Sequence, residues 1–342
     1  MKKIIIYFKL LLIILIPIFS WFCLEKILIN NNKKFDELAL GQDNIFLNDK
    51  LLDNKILCNS LDNVSECILY LKKHKTKILW IGNSQLHAVN QPNINAKLSS
   101  YIVSENLQKK EIGLVTFVAP NINFQEYLSI LIYFTKEVDL DYIILSLCFD
   151  DTREDNVRNN LVNNEEKITN SLEKRIANYL EKRITNYLEK KIQWNSIRQQ
   201  AQGHTFDILY KLRNYIFNIG PSSTRRIIEP LYYKNINALE KTLEISKSKK
   251  IQSIMYITPI RHDINMPYDA KEYNLFKTHV SNLSKRYNSN FYNLEKIIPD
   301  SFWGEKPSTT LNNIKEIDFM HFKQEGHIVL AKYIIQILSQ YF

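Results

Sequence analysis

The sequence predicts an α/β protein: a parallel sheet covered by helices on both faces, with an apolar N-terminal segment and one long helical insertion. Three observations carry that reading. Short apolar runs recur along the chain, some nearly uninterrupted, as strands buried on both faces require. Stretches of helical period separate them. The composition, 45% hydrophobic and 24% charged over 342 residues, suits a globular core and excludes wholesale disorder.

Only 7 glycines and 9 prolines occur, which excludes collagen-like and Gly-rich linker architectures. With 45 Lys and Arg against 36 Asp and Glu, the net charge is +9. That suits an anionic partner without choosing among phospholipid, acidic glycan and nucleic acid.

The N-terminal segment comes first. Met1-Lys2-Lys3 is a basic flank, and Ile4 to Leu24 is broken by a single charge, Lys9. About 20 apolar residues in a helix span a bilayer core, and Lys9 lies near enough to its start to snorkel. No small-x-small cleavage site follows, and Ser20-Trp21-Phe22-Cys23 lacks the small residues expected before a lipidated cysteine. Residues 1–24 therefore read as an uncleaved single-pass membrane anchor. Lys33 and Lys34 oppose Lys2 and Lys3, so charge does not orient it. Cys58 and Cys67 could close a small loop in an oxidising compartment, or stay two reduced thiols on amphipathic elements. The body is placed outside the cytoplasm, at the cell membrane.

Residues 25–76 read as a polar stalk with short helical pieces, and 77–342 as the α/β body. Lys77 to Ile81 is a strand ending at Gly82, and Gly113 to Val118 a second, followed by a helix over Phe124 to Thr135. Tyr142 to Leu147 is a third strand; Ile251 to Ile257 is a fourth, stopped by Thr258-Pro259; Phe291 to Leu294 is a fifth candidate. Leu231 to Ser246 and Ala270 to Arg286 are helical. An insertion over 156–228 contains three copies of an eight-residue unit, beginning at Ile168, Ile176 and Ile184. Eight residues overshoot two helical turns by about 80°, so the apolar stripe winds around the helix. The unit is too short for a solenoid. It reads as a duplication that lengthened a protruding charged helix.

Two ends of the body carry chemistry. The first strand runs into Gly82-Asn83-Ser84-Gln85, which sets a serine hydroxyl at the carboxyl edge of the sheet. The backbone N–H of Ser84 would face a developing oxyanion. Near the C-terminus, Asp318 stands three residues before His321, followed by Gly326 and an apolar helix from Ile328 to Leu338. A carboxylate there can orient the imidazole through one nitrogen and leave the other to take a serine proton. Each motif alone is ordinary turn or surface chemistry.

Together the two ends resemble the SGNH/GDSL hydrolase superfamily, with Asn83 where the first block usually has Asp. The resemblance covers Lys77 to the C-terminus. It implies a three-layer α/β/α doubly wound, flavodoxin-like sheet, with Ser84 as nucleophile, His321 as general base and Asp318 as its orienting partner. The middle blocks depart from the pattern. Where the family has an oxyanion glycine, this chain reads Val118-Ala119-Pro120-Asn121-Ile122-Asn123, so Asn121 or Asn123 is the substitute donor. Where it has Gly-x-Asn-Asp, this chain reads Cys148-Phe149-Asp150-Asp151, which removes the amide, and an ionised Asp cannot donate. Asp151, Arg153 and Arg261 are further candidates at the sheet edge, the arginines for an anionic glycan or lipid group. His327 and His87 are weaker candidates, the first as a rival base and the second as a substrate contact.

No Cys/His cluster has zinc spacing, and neither a P-loop nor Gly-x-Gly-x-x-Gly occurs, so no metal or nucleotide cofactor is expected. The expected function is a membrane-anchored serine esterase or O-acyltransferase, working through an acyl-serine on an extracytoplasmic glycan or lipid-linked polymer. The layout resembles superfamily members that modify cell-envelope polymers, in lipoteichoic-acid D-alanylation and alginate O-acetylation. These commonly work beside a multi-spanning membrane O-acyltransferase. The alternative is a catalytically inactive binding or assembly protein of the envelope; nucleic-acid binding has no motif behind it.

Overall fold

A computed structural model describes residues 57–58, 64–86, 97–119, 121–155, 157, 214–216, 220, 223–306 and 315–342. The expected anchor at 1–24, the three eight-residue copies and His87 lie outside the described residues. Among the described residues no helix is long and apolar enough to cross a membrane. The chain divides into two units: Met1–Ala39 with Asn170–Phe217, and Leu40–Thr169 with Asn218–Phe342. Of the first, only residues 214–216 are described, a single helical turn. Everything below concerns the second.

Among the described residues six strands form a parallel sheet: β1 (Leu57–Cys58), β2 (Thr76–Gly82), β3 (Ile112–Val118), β4 (Tyr142–Leu147), β5 (Gln252–Ile257) and β6 (Asn290–Asn293). Their order is β1-β3-β2-β4-β5-β6. Beyond the short edge strand β1, that is the doubly wound order in which the chain first adds a strand on one side of β2 and then turns to the other. The sequence runs through β2–β5 are largely apolar because their alternate residues enter two different cores. Leu79, Ile81, Val115, Phe117, Ile143, Leu145, Met255 and Ile257 face one. Ile78, Trp80, Leu114, Ile144, Ile254 and Tyr256 face the other.

Helices close both layers. On the first face lie α1 (Val64–Lys72), α3 (Phe124–Glu137), α4 (Glu229–Ser248) and α5 (Ala270–Tyr287). On the second lie α2 (Ser99–Gln108) and α6 (Gln324–Leu338). Their ends follow local chemistry. Asn123 and Glu126 make a capping box on α3. Asp269 caps α5, which ends on Asn288 at φ 54°.

Two expectations need correction. The stalk assigned to 25–76 does not extend to its stated end. Val64, Cys67, Ile68 and Leu71 form the buried stripe of α1, and β1 adds an edge to the sheet. Their polar neighbours, among them Glu66 and Lys72, face solvent and give the segment its stalk-like composition. Cys58 and Cys67 are joined as a disulfide, tying β1 to α1. The insertion assigned to 156–228 ends sooner, because Arg225 pairs with Tyr268 in an isolated parallel bridge. The segment from Asp318 to His321 lies in β8 (Glu316–Phe322), antiparallel to β7 (Trp303–Lys306) in a separate two-stranded sheet.

Candidate active site

Ser84 sits two residues past β2, at the strand where the sheet order reverses and crevices open beyond the carboxyl ends. Gly82 makes the exit possible. A Cβ there would fall 2.4 Å from Leu86 Cδ1 and 2.9 Å from Ser146 Oγ, too close for any side chain. The chain then closes a short 3₁₀ turn over Ser84–Leu86.

Ser84 Oγ lies 2.9 Å from His321 Nε2, across 237 positions of sequence. His321 Nδ1 lies 2.8 Å from Asp318 Oδ2. An ionised carboxylate only accepts, so Nδ1 carries the proton and Nε2 is left to accept from the serine hydroxyl. The other carboxylate oxygen, Asp318 Oδ1, accepts the backbone N–H groups of Met320 at 2.9 Å and His321 at 3.1 Å. Asp318 is 1% exposed. Burial pushes its pKa up, but the neighbouring His321, its hydrogen bond, the Met320 N–H and Lys306 outweigh that and hold it well below the usual carboxylate range. It is thus a fixed negative charge beneath the imidazole.

Gln85 joins the two sheets at this point. Its Nε2 donates to the carbonyls of Met320 and Pro259, both at 2.7 Å. The Ser84 turn, the loop after β5 and the His321 strand are thereby pinned together by one side-chain amide. Nothing in the sequence marks Gln85 except its place beside the serine.

The remaining candidates are placed differently. Asp151 does not face the serine from open space; it is 3% exposed. Its Oδ1 accepts from Asn83 Nδ2 at 3.3 Å, and its Oδ2 accepts from Cys148 N at 3.1 Å and Tyr127 OH at 3.4 Å. Burial pushes its pKa up against those hydrogen bonds. The Asn83 side-chain oxygen in turn accepts Gln85 N at 3.0 Å. Asp151 therefore props the turn that carries Ser84. The expected oxyanion donor Asn123 instead spends its side-chain oxygen on Gln125 N and Glu126 N, as the cap of α3. Asn121 is exposed, with φ 48°, in the loop after β3.

Arg261 is bound bidentately by Asp263, at 2.6 and 2.9 Å, and its Nη1 reaches Gly304 O at 3.3 Å. Its backbone N–H donates to Phe319 O at 3.0 Å. It fastens the loop after β5 to the β7–β8 pair and is not placed to receive substrate. His262 is 3.3 Å from Asp300. The rival base His327 is buried in α6, with Nδ1 2.8 Å from Ser99 Oγ, and so belongs to the packing of α2 on α6. Arg153 stays near the site: its Nη1 is 3.4 Å from Asp150 Oδ1. Among the described residues no group of three or more His, Cys, Asp and Glu side chains is arranged to hold a metal.

No family model and no curated protein matches this chain. Solved structures do. A GDSL-like lipase from Bacteroides thetaiotaomicron aligns over 82% of this chain and 98% of its own, at 10% identity and a TM-score of 0.42. The psychrotrophic esterase EstA from a Pseudoalteromonas species, inhibited by monoethylphosphonate, aligns over 78% and 98%, at 8% identity and 0.42. The acetylxylan esterase Axe2 from Geobacillus stearothermophilus aligns over 77% and 94%, at 10% and 0.38. At these scores the likeness carries no weight of its own, and the chemistry rests on the geometry of this chain.

Proposed function

We propose that this chain is a serine esterase or O-acyltransferase of the SGNH type. The observation that carries the reading is the continuous hydrogen-bonded line from Ser84 Oγ through His321 to the buried Asp318. Ser84 Oγ attacks the carbonyl of an ester while His321 Nε2 takes its proton; the oxyanion forms beside the Ser84 backbone N–H. As the tetrahedral adduct collapses, His321 returns the proton to the departing alcohol and leaves an acyl-serine. Water or a sugar hydroxyl, deprotonated by the same imidazole, then attacks the acyl carbon and frees Ser84. Asp318 keeps the ring in the tautomer that each transfer needs and offsets the imidazolium charge.

The apolar stretch at 1–24 supports attachment to the cell membrane as a single-pass protein. The Cys58–Cys67 disulfide supports a body on the oxidising side. The substrate of this reading is accordingly an acylated glycan or lipid-linked polymer of the cell envelope, with a multi-spanning acyltransferase as working partner.

One observation favours a second reading, an inactive binding or assembly module. Asp150 stands where an amide donor would complete the oxyanion hole, and a carboxylate cannot fill that role. An organophosphonate serine probe decides between them. The wild type is expected to be labelled, and Ser84→Ala to stay folded by circular dichroism without label. An unlabelled wild type selects the binding module; a labelled Ser84→Ala removes the nucleophile assignment.

A further inference from the structure

Beside the serine–histidine pair lies a second charged cluster. Asp150 Oδ2 accepts from Arg225 Nη1 at 2.5 Å and from Tyr268 OH at 3.1 Å, while Asp150 Oδ1 is 3.4 Å from Arg153 Nη1. It abuts the site on two sides. Asp150 adjoins Asp151, whose carboxylate holds Asn83 next to the nucleophile. Tyr268 OH is 3.7 Å from the sulfur of Met320, next to His321, and Arg225 Cζ stands 4.5 Å above the Phe319 ring.

Arg153 and Arg225 thus reach the two oxygens of one carboxylate, and the nearby acid Asp155 is bound to Lys234 at 2.5 Å. The side chains of Arg153 and Arg225 keep 26% and 28% of their exposure, so a ligand can reach them. Most tellingly, Arg153 Nε is buried and meets no acceptor among the described residues. A guanidinium N–H left so is costly unless something outside the chain accepts from it. Phosphate and carboxylate oxygens are the groups whose geometry fits a guanidinium fork.

We propose that Arg153 and Arg225, gathered by Asp150 and Tyr268, form a subsite for a phosphate or carboxylate group carried by the ester substrate. The inference rests on the esterase reading. It would make the acyl acceptor or donor an anionic molecule, anchored a short distance from the bond that Ser84 attacks.

The test compares three esters on the full chain: 1-O-acetylglycerol, 1-O-acetylglycerol 3-phosphate and O-acetylglycerate. The readout is the ratio of kcat/KM for each anionic ester to that for the neutral one, taken within one protein. The wild type is expected to prefer one anionic ester by about tenfold, and the preferred ester identifies the anion. Arg153→Gln should bring the ratio to about one, and Arg153→Lys should keep part of it. A wild-type ratio near one for both anions overturns the subsite and leaves the esterase intact, as does a preference that survives in Arg153→Gln. If the wild type hydrolyses none of the three, the esterase reading fails on these esters. Calorimetric titration with glycerol 3-phosphate and glycerate then judges the subsite alone. Binding of either that Arg153→Gln loses supports it, and no binding of either to the wild type overturns it.

Discussion

The segments that follow β2 and β4 leave the sheet side by side, and they have been built in opposite ways. After β2, every residue from Gly82 to Gln85 is small or amide-bearing and buried, and the amides of Asn83 and Gln85 hold the turn that places one hydroxyl. After β4, the corresponding positions are two consecutive carboxylates. One, Asp151, is turned inward to brace its neighbour, and the other, Asp150, is turned toward two arginines. The first segment holds the proposed nucleophile and the second gathers charge. Ser84 thus stands beside a loop that has no side-chain amide to offer, and the two segments are coupled through the Asn83–Asp151 hydrogen bond.

The sharpest way to break this arrangement is to leave the β2 turn alone and spoil its partner on β8. Asp318→Asn should keep the fold but present the wrong imidazole nitrogen to Ser84, lowering kcat by about four orders of magnitude. Ester hydrolysis with thermal melting in parallel checks it. The pH dependence has a fixed sign. Because the folded-state pKa of Asp318 is depressed, its stabilising contribution is complete above the unfolded carboxylate range and is lost as pH falls toward the folded value. In acid titrations monitored by melting temperature, Asp318→Asn should therefore lose less stability between about pH 4 and pH 2 than the wild type does.

A smaller effect probes the coupling between the segments. Asn83→Asp sets two carboxylates where one amide donor now meets one acceptor, and should destabilise the protein by roughly 2–3 kcal/mol. Exchanging both residues, Asn83→Asp with Asp151→Asn, restores a donor and an acceptor and should recover most of the loss. Urea denaturation of the two single variants and the double variant measures it; additive losses would show that the segments act independently.

The mildest perturbation addresses the joint with β8. Gln85→Ala removes two 2.7 Å hydrogen bonds to the carbonyls of Pro259 and Met320. A loss of about 1–3 kcal/mol in stability is expected, with a fall in kcat larger than any change in KM as the histidine strand drifts from the serine. Steady-state kinetics separates the two constants.

How far the sequence reveals this molecule depends on burial. Tyr142 to Leu147 and Ile251 to Ile257 are legible as strands because both faces are covered, so nearly every residue is apolar. The hidden elements are those with one wet face or little length. β1 has two residues, and α1 mixes four buried apolar residues with an exposed Leu69 and charged neighbours. β8 was obscured because the consecutive apolar residues Phe319 and Met320 break the alternation of apolar and polar positions. The serine, aspartate and histidine were legible from spacing within their own short motifs, although only the fold brings Ser84 to His321. Asn123, Asp151 and Arg261 point the other way. Each is a plausible substrate ligand as a residue type, and each is used internally as cap, prop or clamp. Asp150 and Arg225 belong to segments far apart in sequence, and no local pattern could have joined them.

The bond between Cys58 and Cys67 has a consequence for how the protein meets its neighbours. Among the described residues β1 is the outermost strand on its side of the sheet, and an open edge of unpaired amides invites another chain to add a strand. Here that margin is only two residues long and is stitched to the helix packed behind it. The stitch acts as a selvedge: it finishes the cloth of the sheet where it would otherwise fray or catch.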